Sequence, residues 1–212
     1  MKIYAAADLH GQPDRVRLVC ETVRDQRPEA VVLAGDVLHY RHARPCLQAL
    51  GTLPGPIMVI RGNTDPGGFE TAVRRFPHFK CIDSRVIEQG GVRFVGLGGT
   101  VPMPFNSRIG WREARRLRKI TPLIDSQTVL VVHPPPRGIQ DRVLGRFAAG
   151  SRGLRRLVGQ CPPAVVICGH IHEDAGFRWL GRTLVVNCAL GRNKRGALIQ
   201  YDGYGYPAVQ ML

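Results

Sequence analysis

Five short polar islands punctuate this chain, and each closes an apolar run: Ala7-Asp8-Leu9-His10, Gly35-Asp36, Gly62-Asn63-Thr64-Asp65, His133 and Gly169-His170-Ile171-His172. The runs before them, at 2–7, 30–34, 56–60, 128–132 and 164–168, are short, rich in β-branched residues and barely alternate. That pattern predicts strands buried on both faces. Every island then falls just past a strand end. In open α/β sheets this edge is where sites form, so five segments far apart in sequence can converge on one spot. A lone Asp or His at a strand end is usually a cap or a hydrogen-bonded core residue, whereas five such segments together predict a site. Asp, His and Asn supply carboxylate oxygen, imidazole nitrogen and amide oxygen, ligands suited to divalent manganese, iron or zinc. Their order and types describe a place for two metal ions.

Between the islands the first half reads as βαβαβ. Residues 14–27 carry Val16, Val19, Cys20 and Val23 at helical spacing, and residues 43–50 do so more weakly. Residues 85–99 read as a hairpin turning on Gly90-Gly91. A Pro-containing loop at 100–107 precedes a basic helix around 111–119 and the strand ending at His133. Residues 134–151 read as a long irregular stretch, of a length usually functional or disordered. Strand patterns return at 176–179, 183–187 and 197–201. Parallel strands early and meandering strands late predict an α/β fold of two mixed, packed sheets flanked by helices, in one domain over 1–212.

The 30 Lys and Arg against 16 Asp and Glu leave a net charge of +14, which attracts phosphates of many kinds. Much of it falls in 111–119 and 152–156. The plain reading of both is a solvated helix face, with Leu154, Leu157 and Val158 turned to the core. A sharper reading is a funnel for an anionic substrate or nucleic acid, but no interleaved aromatics accompany the charge as a stacking platform requires. Six cysteines lie scattered without a Cys-x-x-Cys pair, which predicts free thiols rather than disulfides or a zinc-thiolate site. No apolar run approaches the roughly 20 residues of a membrane span, and Met1 leads almost at once into a strand carrying Asp8. A soluble, cytoplasmic protein without a membrane partner is expected.

The motifs Asp8-x-His10, Gly35-Asp36, Gly62-Asn63, His133 and Gly169-His170-x-His172 resemble those of the calcineurin-like metallophosphoesterase superfamily. Residues 133–138, Asp141-Arg142, Gly150-Ser151, 169–173 and Val186-Asn187 are further similar to small bacterial and archaeal phosphoesterases related to the Icc cyclic-nucleotide phosphodiesterase. The resemblance implies a four-layer α-β-β-α sandwich and two divalent ions, manganese, iron or zinc. It implies Asp8, His10 and His172 around the first ion, Asn63, His133 and His170 around the second, and Asp36 bridging both. Such a pair lowers the pKa of a shared water towards neutrality and clamps a phosphate for in-line attack.

One position departs from the pattern. The residue after Gly62-Asn63 is His in most of the superfamily and Cys in several small bacterial members; here it is Thr64. The family His is thought to protonate the leaving oxygen or bind phosphate, and a threonine hydroxyl is far too weak an acid for the first. Losing a general acid typically costs about 10²–10⁴ in rate, most for poor leaving groups. A phosphodiesterase on small nucleotides or related diesters is therefore expected, with Asn63, Thr64 and His133 nearest the chemistry and Asp65 or a nearby His as a replacement proton source. The alternatives are a nuclease, a protein or small-molecule phosphomonoesterase, and a non-catalytic scaffold. His39 and His42, three apart, read as helix neighbours that contact substrate or shuttle a proton, or more simply as surface or capping histidines; Arg137, Asp141 and Arg142 read as phosphate contacts or loop braces.

Overall fold

The computed structural model describes residues 1–99, 110–191 and 193–212, so the predicted loop at 100–107 lies outside the described residues. The first half alternates strand and helix: β1 (Lys2–Ala6), α1 (Pro13–Gln26), β2 (Ala30–Leu33), α2 (Ala43–Leu50), β3 (Ile57–Val59), α3 (Phe69–Val73) and β4 (Phe79–Cys81). A hairpin of β5 (Val86–Gln89) and β6 (Val92–Leu97) follows, turning on Gly90 and Gly91, both at positive φ. Next come α4 (Gly110–Ile120), β7 (Thr128–Val132), the two-residue strands β8 (Arg142–Val143) and β9 (Phe147–Ala148), α5 (Arg152–Gln160) and β10 (Val165–Cys168). Four strands close the chain: β11 (Gly176–Leu180), β12 (Thr183–Asn187), β13 (Ala197–Gln200) and β14 (Ala208–Met211).

These strands form two mixed six-stranded sheets, ordered β14-β13-β1-β2-β3-β4 and β11-β12-β10-β7-β6-β5. Parallel pairs fill the middle of each sheet; antiparallel β13–β14, β5 and β11 close three edges, and β4, parallel to β3, closes the fourth. Because side chains alternate across a strand, each central strand serves two cores. Ile3, Ala5, Val32 and Met58 meet Phe94, Val131, Ile167 and Val186 between the sheets. Tyr4, Val31, Leu33 and Val59 turn outward onto Val19 and Val23 of α1, Leu47 and Leu50 of α2 and Phe69 of α3. On the far side Val95, Leu130, Val166 and Val185 lie under Leu117 and Ile120 of α4 and Leu154, Leu157 and Val158 of α5. The result is the four-layer sandwich expected. Double burial explains why the strand runs hardly alternate in hydropathy.

Helix α1 shows how local chemistry sets an element. Pro13 occupies its first turn, where a missing N–H costs nothing, and Asp14 meets the positive helix end. The chain leaves through Arg27 in left-handed conformation, φ 48°, and Pro28 forbids continuation. Val19 and Val23 are fully buried, each worth about 1.5–3 kcal/mol of removal from water.

Three features differ from the sequence reading. α3, β4 and β14 span five, three and four residues, shorter than the window in which periodicity is visible. The stretch 134–151 contains the antiparallel β8–β9 hairpin instead of wholly irregular chain. His39 and His42 are not helix neighbours: α2 begins at Ala43, leaving His42 as its N-cap and His39 ahead of the turn, their rings 6.3 Å apart.

Candidate metal centre

Strands β1, β2, β3, β7 and β10 lie parallel in their sheets, and the islands emerge from their C-terminal ends. Two residues after β1, Asp8 turns with φ 64°, and His10 with φ 52°; Asp36 after β2 has φ 52°, and His170 after β10 has φ 70°. Left-handed conformation costs a non-glycine residue roughly 1–2 kcal/mol. Backbone bonds between the loops hold it in place: Asp8 N–H donates to Gly35 O at 3.0 Å, His10 N–H to Asp36 O at 2.8 Å and Gly11 N–H to Val37 O at 2.9 Å. Behind them Arg15 Nη1 donates to Asp8 O. These turns point side chains from separate strands at one another.

Two groups result, Asp8 with His10 and His172, and Asp36 with His133 and His170, the ligand atoms of each lying within 4.8 Å of one another. They abut through Asp36. Its Oδ2 lies 3.4 Å from His133 Nε2 and 4.0 Å from His10 Nδ1. Asn63 joins the second group, its Oδ1 2.9 Å from His133 Nε2. Thr64 reaches the first, its Oγ1 3.1 Å from His10 Nδ1, while its N–H donates to Asp36 Oδ1 at 2.8 Å. The sequence-predicted ligands are thus brought together.

The donor set fits a cation. His133 Nδ1 lies 2.8 Å from the Ala34 carbonyl, which can only accept, so Nδ1 carries hydrogen and Nε2 faces the acid and amide oxygens. Asp8 Oδ2 accepts the His170 N–H at 2.8 Å, but buried Oδ1 has no hydrogen-bond partner, with His172 Nε2 at 3.2 Å, His10 Nε2 at 3.9 Å and His133 Nε2 at 4.0 Å. An unbonded buried carboxylate oxygen ringed by imidazole nitrogens calls for a positive charge. Burial works against charge on Asp8 and Asp36, yet the neighbouring imidazoles and N–H donors prevail. Asp8 is held below the ordinary carboxylate range and Asp36 is lowered to about 2. Burial lowers His10 and His170 and keeps both neutral, the form that binds metal. Burial also opposes charge on His133, but Asp36, Asp8 and the Ala34 carbonyl raise it above its usual value.

Several residues hold the centre without being candidate ligands themselves. A Cβ on Gly62 would collide with the Asp36 carboxylate, one on Gly35 would lie 2.5 Å from His133 Nδ1, and one on Gly169 2.6 Å from Asp8 Oδ2. The glycine before Asp36, Asn63 and His170 is therefore a steric requirement, and its recurrence in three islands was the available signal. Asp65 is corrected from proton source to tie: it is buried, with Oδ1 accepting the Leu38 N–H and Oδ2 the Gly62 N–H, both at 2.7 Å. Burial pushes its pKa up to about 6. Buried Asn187 bonds the Ile171 carbonyl and the Ala189 N–H, fixing the loop that carries His172.

The remaining candidates sit around this centre. His39 is exposed and stands against Gly11, next to His10. Arg137 donates to the Ala148 carbonyl at 2.7 Å, and buried Asp141 accepts the Gly150 N–H, so both brace the 134–151 loop. Arg142 is exposed, and its N–H donates to Asp174.

The family model for the calcineurin-like phosphoesterase superfamily domain matches residues 1–196, so the chain belongs to that superfamily and, with the adjoining Asp/His groups at its strand ends, to the metal-dependent phosphoesterases. An uncharacterised protein of Methanocaldococcus jannaschii is 27% identical over 198 residues, 88% of this chain and 87% of that one. Two solved structures share the fold. A novel archaeal phosphodiesterase superposes with a TM-score of 0.60 over 100% of both chains at 16% identity. A dimetal phosphatase from Danio rerio does so at 0.63 over 99% of this chain and 98% of its own, at 10% identity. No described helix is long and apolar enough to cross a membrane.

Proposed function

We propose that this phosphoesterase hydrolyses phosphodiesters, small nucleotides or related compounds, using two divalent ions. Asp8, His10 and His172 would hold one ion, Asn63, His133 and His170 the other, with Asp36 shared. When bound, such a pair polarises a phosphoryl oxygen and activates water near neutral pH. The observation that carries the reading is the buried Asp8 oxygen left without a hydrogen bond among three imidazoles.

The chain's own residues arrange the rest. The Ala34 carbonyl fixes the tautomer of His133, and the Thr64 N–H fixes the rotation of the Asp36 carboxylate. The Thr64 hydroxyl, exposed and beside His10, can donate a hydrogen bond to a phosphoryl oxygen but cannot protonate an alkoxide. Substrates whose leaving group departs unaided are therefore favoured, and the archaeal neighbour of the same fold is itself a phosphodiesterase. The test is a substrate panel on manganese-loaded protein. Aryl and nucleotide diesters should turn over faster than alkyl monoesters, and the reverse order would overturn the substrate class while leaving the metal centre standing.

A further inference from the structure

Helices α4 and α5 pack side by side on the outer face of the second sheet, at closest approach where a Cβ on Gly153 would meet Leu117. Their buried sides are apolar, and their outer sides carry exposed Arg115, Arg118, Lys119, Arg152, Arg155 and Arg156. Among the described residues none of these six lies in an ion pair or hydrogen bond through its side chain. The nearby acids are engaged elsewhere: Asp83 takes Arg116 at 3.0 and 3.1 Å, Asp125 takes Arg93, and Glu113 accepts from the Ser151 hydroxyl. The helix itself gains nothing from this arrangement at α5, where Arg152 and Arg155 face the positive helix end with no acidic residue in the first turn. Charges that work against local structure usually serve a site.

We propose that the outer face of α4 and α5 binds the phosphate backbone of duplex nucleic acid. The face is about 16 Å long by the rise of an 11-residue helix, and each strand of a duplex presents one phosphate per about 3.4 Å of axis, so six cations meet about five phosphates of the facing strand. A row of regularly spaced phosphates needs only such a row of cations, whereas recognition of bases needs stacking platforms besides. The face also begins beside the centre: Ser151, one residue before Arg152, bonds Pro135, two residues past His133. This inference does not rest on the small-diester reading.

The test is fluorescence anisotropy of a labelled DNA duplex on the full chain, titrated at several salt concentrations between about 50 and 200 mM. Five or six phosphate contacts predict a slope of log affinity against log salt of about −5, at roughly −0.9 per contact. Arg115→Gln/Arg118→Gln/Arg155→Gln should halve the slope and weaken low-salt binding at least tenfold. Arg24→Gln/Arg44→Gln/Arg75→Gln removes the same charge from exposed positions on the other helical layer and should leave the slope unchanged. Equal loss in both variants would overturn the patch, because net charge alone would then account for binding. Tighter binding to the single strand, or binding to phosphatidylglycerol vesicles with none to duplex, would overturn the choice of partner.

Discussion

The two Asp/His groups are built from the same residue types and differ in how they are held. In the second, His133 and Asp36 are 1% and 2% exposed, and His133 is locked by the Ala34 carbonyl. In the first, Asp8 is equally buried, but the side chains of His10 and His172 are 25% and 37% exposed and Thr64 stands beside them. Asp36 and His133 have already been desolvated and oriented by folding, while His170 of the same group is half-buried and Asn63 exposed. The first group opens to solvent at both of its histidines. Burial thus grades the two halves, the second being the more enclosed, with Asp36 between them.

The sharpest way to break this comparison is to remove the shared residue. Asp36→Ala should lower activity by at least about 10³-fold and reduce bound metal in both halves. Full metal content with normal turnover, read by elemental analysis and a diester assay, would remove the assignment. Next in size is the asymmetry. Manganese titration should resolve two affinities at least tenfold apart; His133→Ala should weaken the tighter by about 10–100-fold or more, and His172→Ala only the weaker. Indistinguishable affinities would mean that burial does not separate the halves.

A smaller effect concerns position 64. Thr64→His should raise turnover of alkyl esters by about 10–10², with little change for p-nitrophenyl diesters, because only a poor leaving group needs a proton. Equal changes in both classes would remove an acid role from this position. The smallest effect is on pH. The raised His133 pKa stabilises metal-free protein below the ordinary value of 6.5, a contribution lost as pH rises through the folded value. Metal needs the neutral ring, so the Tm difference between manganese-loaded and metal-free protein should widen from pH 6 to pH 8, by about 3–6 °C for each tenfold gain in affinity. A constant difference would show that His133 takes no part in binding.

The centre was legible because chemistry and strand ends coincide in the sequence: each island follows a run that can only be a buried strand. The sandwich was legible for the same reason. What stayed hidden was whatever depends on contacts between loops. Asp65 looks like a spare acid until Leu38 and Gly62 are seen to occupy both its oxygens. Arg137 and Asp141 read equally as phosphate contacts or loop braces until the Ala148 carbonyl and Gly150 N–H beside the β8–β9 hairpin are seen to take them. His39 and His42 have helical spacing, but spacing cannot say that α2 starts one residue later. Short β4 and β14 are held by neighbouring strands and not by a pattern of their own.

The left-handed backbone at His10 and His170 also bears on how this chain can change. Glycine at either position would adopt the same turn without strain, gaining about 1 kcal/mol and losing an imidazole. Stability and the centre therefore pull in opposite directions at these positions. A lineage selected for folding alone would drift towards glycine and lose the proposed ligands while becoming harder to unfold.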